Sequence, residues 1–408
     1  LFILLPVGII IAQNSKDMID TILYQYMNEM LSQTTQEHFR YLHKEIDWRA
    51  RLIGITGPRG VGKSTMLLQH IKKANEPQSL YVSVDNLYFN NHTIVYLADE
   101  FIKEGGKHLY IDEIHKYKGW SQELKQIYDV HPDLQIVFTG SSILDIKKGQ
   151  ADLSRRVLMY HLQGLSFREY LLLFHGIDAP VFTLNDILNQ RVSIPNVAHP
   201  LPLFREYLST GYYPFAIEPG FTQRINQVVQ QTVDVDIAQF ANMKPATTRK
   251  LKQMLAIIST LAPYKPNFEN LAQEISVSKN NVPDYLVYLS QAGLLGILRD
   301  NTLGMRSLGK IEKVYIDNPS LMTAIASGNP DIGNLRETFF YNQMRVNHPM
   351  MTASKESDFF ISPYTFEIGG KKKGKKQIEN VENGRIVKDD IETGHGIVIP
   401  LWYFGMNY

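Results

Sequence analysis

The run Gly57-Pro-Arg-Gly-Val-Gly-Lys63-Ser64-Thr65 restricts the fold of this chain more than any other segment. Arg51-Leu-Ile-Gly-Ile-Thr56 before it reads as a short buried strand. Ser64 to Ala74 after it reads as a helix with Leu67, Ile71 and Ala74 on one face. A strand that turns through glycines into a helix opens a βαβ unit, and such units build parallel sheets. The spacing is a glycine, four residues, then Gly-Lys-Ser/Thr. It lets backbone N–H groups crowd a polyphosphate at a helix N-terminus, with Lys63 reaching the β and γ oxygens and the Ser64 hydroxyl on Mg²⁺. The phosphate-binding set is therefore Gly57, Arg59, Gly60, Val61, Gly62, Lys63, Ser64 and Thr65. An ordinary glycine-rich turn would explain the glycines, but not the strand and helix on either side.

Strands and helices then alternate. Ser79 to Val84, Lys107 to Asp112 and Leu134 to Thr139 read as strands, with Thr93 to Glu104 and Ser121 to Tyr128 as helices between them. This predicts a parallel sheet with helices on both faces. The third strand, Leu109-Tyr-Ile-Asp112-Glu113, ends in two carboxylates at the edge where parallel sheets bind ligands. Asp112 there can hold Mg²⁺ through water, and Glu113 can act as general base on an attacking water. A helix N-cap followed by a solvated acid is the alternative, disfavoured once a phosphate loop precedes it. Thr139-Gly-Ser141-Ser142 ends the fourth strand; Ser141 either contacts a γ-phosphate or closes a plain turn. Of Arg155-Arg156, either a cation serves the γ-phosphate, in cis or from a neighbouring subunit, or the two are a solvated surface pair.

These motifs carry a resemblance. The chain is similar to prokaryotic AAA-type P-loop ATPases, Bacteroidetes members in particular, that join such a domain to a C-terminal domain of unknown function. The match rests on Gly57 to Thr65, Leu109-Tyr-Ile-Asp-Glu-Ile-His-Lys116 with Trp120, Phe138-Thr-Gly-Ser-Ser142 and Gly164-Leu-Ser-Phe-Arg-Glu-Tyr170. The resemblance implies ATP and Mg²⁺ as ligands of Lys63 and Ser64, Asp112 as metal carboxylate and Glu113 as catalytic residue. Members often carry Gly-Arg where this chain has Arg155-Arg156, which makes Arg156 the better functional arginine.

Asn267 to Leu298 reads as a helix-turn-helix, with Glu269 to Ile275, a Ser276-Val-Ser278 turn, Asn280 to Ala292, and a wing strand from Leu294. The second helix offers Lys279, Asn280, Asn281 and Tyr288, little charge for a DNA backbone, which favours packing or protein contact over DNA reading. Further on, Glu337, Asp358 and Glu367 resemble the acids of PD-(D/E)xK nucleases. The pattern wants Glu-x-Lys, whereas this chain has Glu367-Ile-Gly369-Gly370-Lys371. Two glycines end a strand rather than carry it to Lys371, so the reading is a degenerate nuclease fold used for binding or as an effector.

The expected architecture is α/β: an AAA-type P-loop NTPase, a helical and winged-helix region, and a small α+β nuclease-like domain. The expected limits are 18–165 for the ATPase, 166–255 helical, 256–318 winged helix and 319–408 nuclease-like, behind an apolar leader at 1–17. That leader is too short to span a bilayer and has no basic segment before it, so it reads as an upstream extension or a fragment boundary. With 42 basic and 41 acidic residues, net charge +1, nothing in the overall charge demands a nucleic acid. The absence of cysteine excludes disulfides and thiol catalysis and suits a cytoplasmic setting. Beyond ATP, the expected partners are a protein or a nucleic acid, a homo-oligomer is possible, and no membrane is involved. The functional expectation is a nucleotide-driven switch that hydrolyses ATP; an ATP-regulated nuclease and a DNA-binding regulator are the alternatives.

Overall fold

Runs of β-branched and aliphatic residues become buried strands. In the computed structural model, which describes residues 21–140, 153–261, 263–300, 310–326, 330–374 and 376–408, these are β1 (Leu52–Thr56), β2 (Ser79–Ser83), β3 (His108–Asp112) and β4 (Gln135–Gly140). A fifth, β5 (Leu158–His161), completes a wholly parallel sheet in the order β2-β3-β4-β1-β5. The pairings Thr56↔Gly140, Thr56↔His161 and Ser83↔Asp112 bring the strand ends to one edge. β4 thus lies between the strand that feeds the glycine loop and the strand that ends in Asp112.

The chain divides into two units: the chain up to Gly57 with Gly62–Leu162, and Pro58–Val61 with Gln163–Tyr408. In the first, helix Ile94–Lys103 begins at Thr93, whose hydroxyl accepts the Tyr96 N–H at 3.0 Å, a cap worth about 1 kcal/mol. Leu97 and Phe101 of this helix, with Leu124 and Ile127 of helix Trp120–Val130, meet Leu80, Leu109, Ile111 and Phe138 of the sheet in one core. Each such buried side chain contributes roughly 1.5–3 kcal/mol.

In the second unit, helices Phe167–His175, Leu201–Thr210 and Phe221–Gln231 come first, and the last runs on into a π-helical turn, Thr232–Ile237. Helix Pro245–Leu261 follows, then Phe268–Glu274, Val282–Gln291 and an antiparallel ribbon of β6 (Leu295–Arg299) and β7 (Ile311–Ile316). The second helix of that group begins later than its sequence suggests. Lys279–Asn281 forms a 3₁₀ turn, and the helix proper starts at Val282 with Pro283 in its first turn, where a missing N–H breaks no bond. A mixed sheet closes the chain in the order β12-β11-β10-β9-β8. Its strands are β8 (Thr352–Ala353), β9 (Phe359–Ile361), β10 (Tyr364–Gly369), β11 (Gly384–Lys388) and β12 (Val398–Pro400). Helix Ile332–Asn347 lays Phe339 and Phe340 into the core that Phe359, Phe366 and Phe404 share. Among the described residues no helix is long and apolar enough to cross a membrane; the apolar leader lies outside the described residues.

Candidate functional site

Gly57 leaves β1 at φ +154°, and a methyl group on it would come within 2.2 Å of the Leu162 carbonyl oxygen, so only glycine fits. Gly62, at φ 93°, caps helix Lys63–Ala74 from the left-handed region that glycine adopts at no steric cost. Lys63 is 4 % exposed, and its ammonium donates to the Gly57 carbonyl at 2.9 Å. Ser64 follows half-buried in the first helical turn and Thr65 is exposed. Glycines at the tight positions of the loop, a buried ammonium and helix N-terminal amides fit a polyphosphate.

Two strands away, Asp112 is 5 % exposed at the end of β3. The Tyr81 phenol donates to one of its oxygens at 2.9 Å, and the Thr139 hydroxyl donates to the other. Burial, then the charge of Asp112, pushes the Tyr81 phenol far above its ordinary range, so it stays a donor. Thr139 is fully buried and also accepts the Glu113 N–H at 3.3 Å. Its one hydroxyl therefore ties the backbone of Glu113 to the carboxylate of Asp112. Glu113 itself sits at φ 55°, ψ 33°, a left-handed conformation that a non-glycine residue adopts at a cost of about 1 kcal/mol or more. Its carboxylate lies 3.6 Å from both His115 Nε2 and Lys116 Nζ. Thr56 ends β1 beside His161, with Oγ1 to Nδ1 at 3.2 Å.

Several readings of the sequence need correction or completion. Ser141 lies outside the described residues; the hydroxyl that β4 brings to Asp112 is that of Thr139. Arg156 precedes β5, and parallel pairing with β1 puts it at the edge opposite the strand ends that carry Lys63 and Asp112. There it makes a two-pronged ion pair with Asp129, near the end of helix Trp120–Val130, at 2.9 and 3.0 Å. Service to a γ-phosphate in cis does not fit that position. Arg59, read as a phosphate ligand, is held by Asp236 at 2.7 Å through both Nε and Nη2.

The acids of the C-terminal sheet do not gather as the nuclease pattern would have them. Lys313 of β7 stands between Glu337 and Asp358, at 3.1 and 2.9 Å, and the Tyr315 hydroxyl donates to Glu337 at 3.0 Å. Asp358 also accepts the Ile368 N–H at 2.9 Å. Glu367 is paired with Lys373 and takes the Ser357 hydroxyl. Lys371 is exposed in the turn after β10, which ends at Gly369, and is not the lysine at these acids. Burial and the neighbouring Asp358 charge raise the Glu337 carboxyl, while the two carboxylates hold the Lys313 ammonium up against its own burial. Among the described residues no three His, Asp or Glu side chains are grouped to hold a metal ion.

Sheet order, loop and carboxylate edge together define a P-loop NTPase fold. Residues 49–171 match the family described as an AAA domain, and residues 201–331 match a domain of unknown function, DUF8612. Residues 49–171 are accordingly similar to AAA-type P-loop domains. No curated protein matches the chain. Among solved structures, the Walker-type ATPase of Pyrococcus abyssi is similar at 12 % identity and a TM-score of 0.43, over 69 % of this chain and 93 % of that one. AMPPCP-bound DnaA from Aquifex aeolicus is similar at 11 % identity and a TM-score of 0.30, over 66 % and 87 %.

Proposed function

We propose that the protein binds ATP with Mg²⁺ on the loop Gly57–Thr65, hydrolyses it, and uses the change as a molecular switch. The observation that carries this reading is the Asp112–Thr139–Glu113 arrangement at the same sheet edge as Lys63. The loop amides and Lys63 would receive the phosphates, and Ser64 and Asp112 would hold the metal, which supplies positive charge to the phosphate oxygens. Thr139 and Tyr81 orient Asp112. Glu113, turned by its left-handed backbone, would take a proton from water.

In the same proposal the C-terminal sheet is a binding or effector module rather than a nuclease. What supports this is Lys313: an ammonium held between Glu337 and Asp358 neutralises the carboxylates that a metal would need. The partner would be a protein or a nucleic acid, and self-association is compatible with this role. ATP binding by calorimetry, with and without Mg²⁺, tests the first part. Lys63→Ala should weaken binding about a hundredfold or more, since it removes a buried charge-assisted contact; unchanged affinity in that variant would sink the proposal.

A further inference from the structure

The arginine in the phosphate loop is committed elsewhere. Pro58–Val61 belongs to the second unit, and within that unit Arg59 meets Asp236 through a two-pronged ion pair, 2.7 Å on each prong. The Asp236 side chain is 4 % exposed and the Arg59 side chain 12 %. Asp236 lies in the π-helical turn Thr232–Ile237, whose Thr232, Val233 and Ile237 are also buried. Such turns insert a residue into a helix and recur at functional sites, because they aim a side chain that a regular helix would place differently. Two further contacts hold the same stretch of loop. A methyl group on Gly60, at φ +80°, would come within 2.6 Å of the Phe215 ring, and one on Gly293 within 2.8 Å of the Pro58 ring. The loop apex therefore sits in a seat made by Phe215, Asp236 and Gly293.

A carboxylate that satisfies both prongs of a guanidinium neutralises its charge and fixes its plane. Arg59 so held works as an anchor for the backbone around it rather than as a mobile cation for an anion. Only Gly60, Val61 and Gly62 separate it from Lys63, so the anchor sets the bend through which the loop amides converge.

We propose that Asp236 is a positioning residue for the phosphate loop, acting through Arg59 to hold the loop apex in its anion-receiving shape before nucleotide arrives. This rests on the ATP-binding reading given above. Preorganisation of this kind appears in affinity, because the nucleotide no longer has to order the loop. It touches the chemical step less, since Asp112 and Glu113 stand on another strand.

The test is calorimetric titration of ATP with Mg²⁺ into the full chain, alongside steady-state turnover. Asp236→Asn should weaken ATP binding about tenfold or more and raise KM accordingly, with kcat within about threefold of wild type. Because Asp236→Asn leaves a buried guanidinium underpaired, the double variant Arg59→Met with Asp236→Leu removes both charges and guards the fold. It should melt near wild type yet show the same loss of affinity. Wild-type affinity in the double variant would make the pair a fold contact alone and overturn the proposal. Tighter binding in Asp236→Asn would also overturn it, making Arg59 a phosphate ligand that Asp236 restrains. A wild-type chain that binds no ATP would remove the ATP reading itself and this inference with it.

Discussion

Thr139 donates its hydroxyl to Asp112 and accepts the backbone N–H of Glu113, so one side chain fixes both members of the acidic pair. A hydroxyl has one proton to give, and here it goes to the carboxylate. Thr139→Val keeps shape and deletes the bond. Turnover should fall about 10–100-fold, the usual cost of losing a group that orients a ligating carboxylate, with ATP affinity little changed. Thr139→Ser should restore most of the rate. Single-turnover phosphate release reads both; a Val variant as fast as wild type would remove Thr139 from the mechanism.

Lys313 predicts a stability effect and a chemical one. Lys313→Met leaves Glu337 and Asp358 facing each other without a cation. Breaking a buried ion cluster on one side costs about 3–5 kcal/mol, read as a lower denaturation midpoint. The wild type, given Mn²⁺ and supercoiled plasmid, should leave it uncut. Cleavage that Glu367→Ala abolishes would show an active nuclease and overturn the module reading.

Acid should loosen the first unit through two histidines. Trp48 stacks on His70 at 3.6 Å, and His43 lies 5.6 Å from His70. Burial, then the charge of Lys73, lowers His43 to about 4. Burial, then His43 and Lys73, lowers His70 to about 3. Both folded values lie below the unfolded one near 6.5, so the native state disfavours their protons and the unfolded state takes them. The stabilisation is whole above about pH 6.5 and is lost as pH falls from there toward 4 and 3. Thermal midpoints should drop between pH 6.5 and 4.5, and less steeply in His70→Gln; parallel curves would contradict this account of the pair.

The loop and the β3 acids were legible because their chemistry is local: fixed spacing, glycines where no Cβ fits, and apolar runs that can only be buried strands. β5 was not, since Leu158–His161 is an edge strand with exposed ends and no apolar run to mark it. Thr139 lies inside an apolar strand, where threonine reads as ordinary β-propensity, while Ser141 beyond it is the more conspicuous hydroxyl. Lys313 likewise reads as a surface residue of an alternating strand, while its partners lie 24 and 45 residues away. Asp236 is 177 residues from Arg59, and nothing near either residue announces the other. Contacts made by tertiary closure leave no periodic trace, and the residues that tune this site are of that kind.

ATP hydrolysis by this chain would depend most directly on Glu113. ATP turnover should be measured for wild type and Glu113→Gln at saturating ATP and Mg²⁺, with ATP binding followed in parallel. Wild type should release phosphate, and Glu113→Gln should bind ATP within about threefold of wild type yet turn over about 10²–10⁴ times more slowly, the range that a general base contributes. Equal turnover in the two proteins, or a wild type that binds ATP and never releases phosphate, would contradict this mechanism.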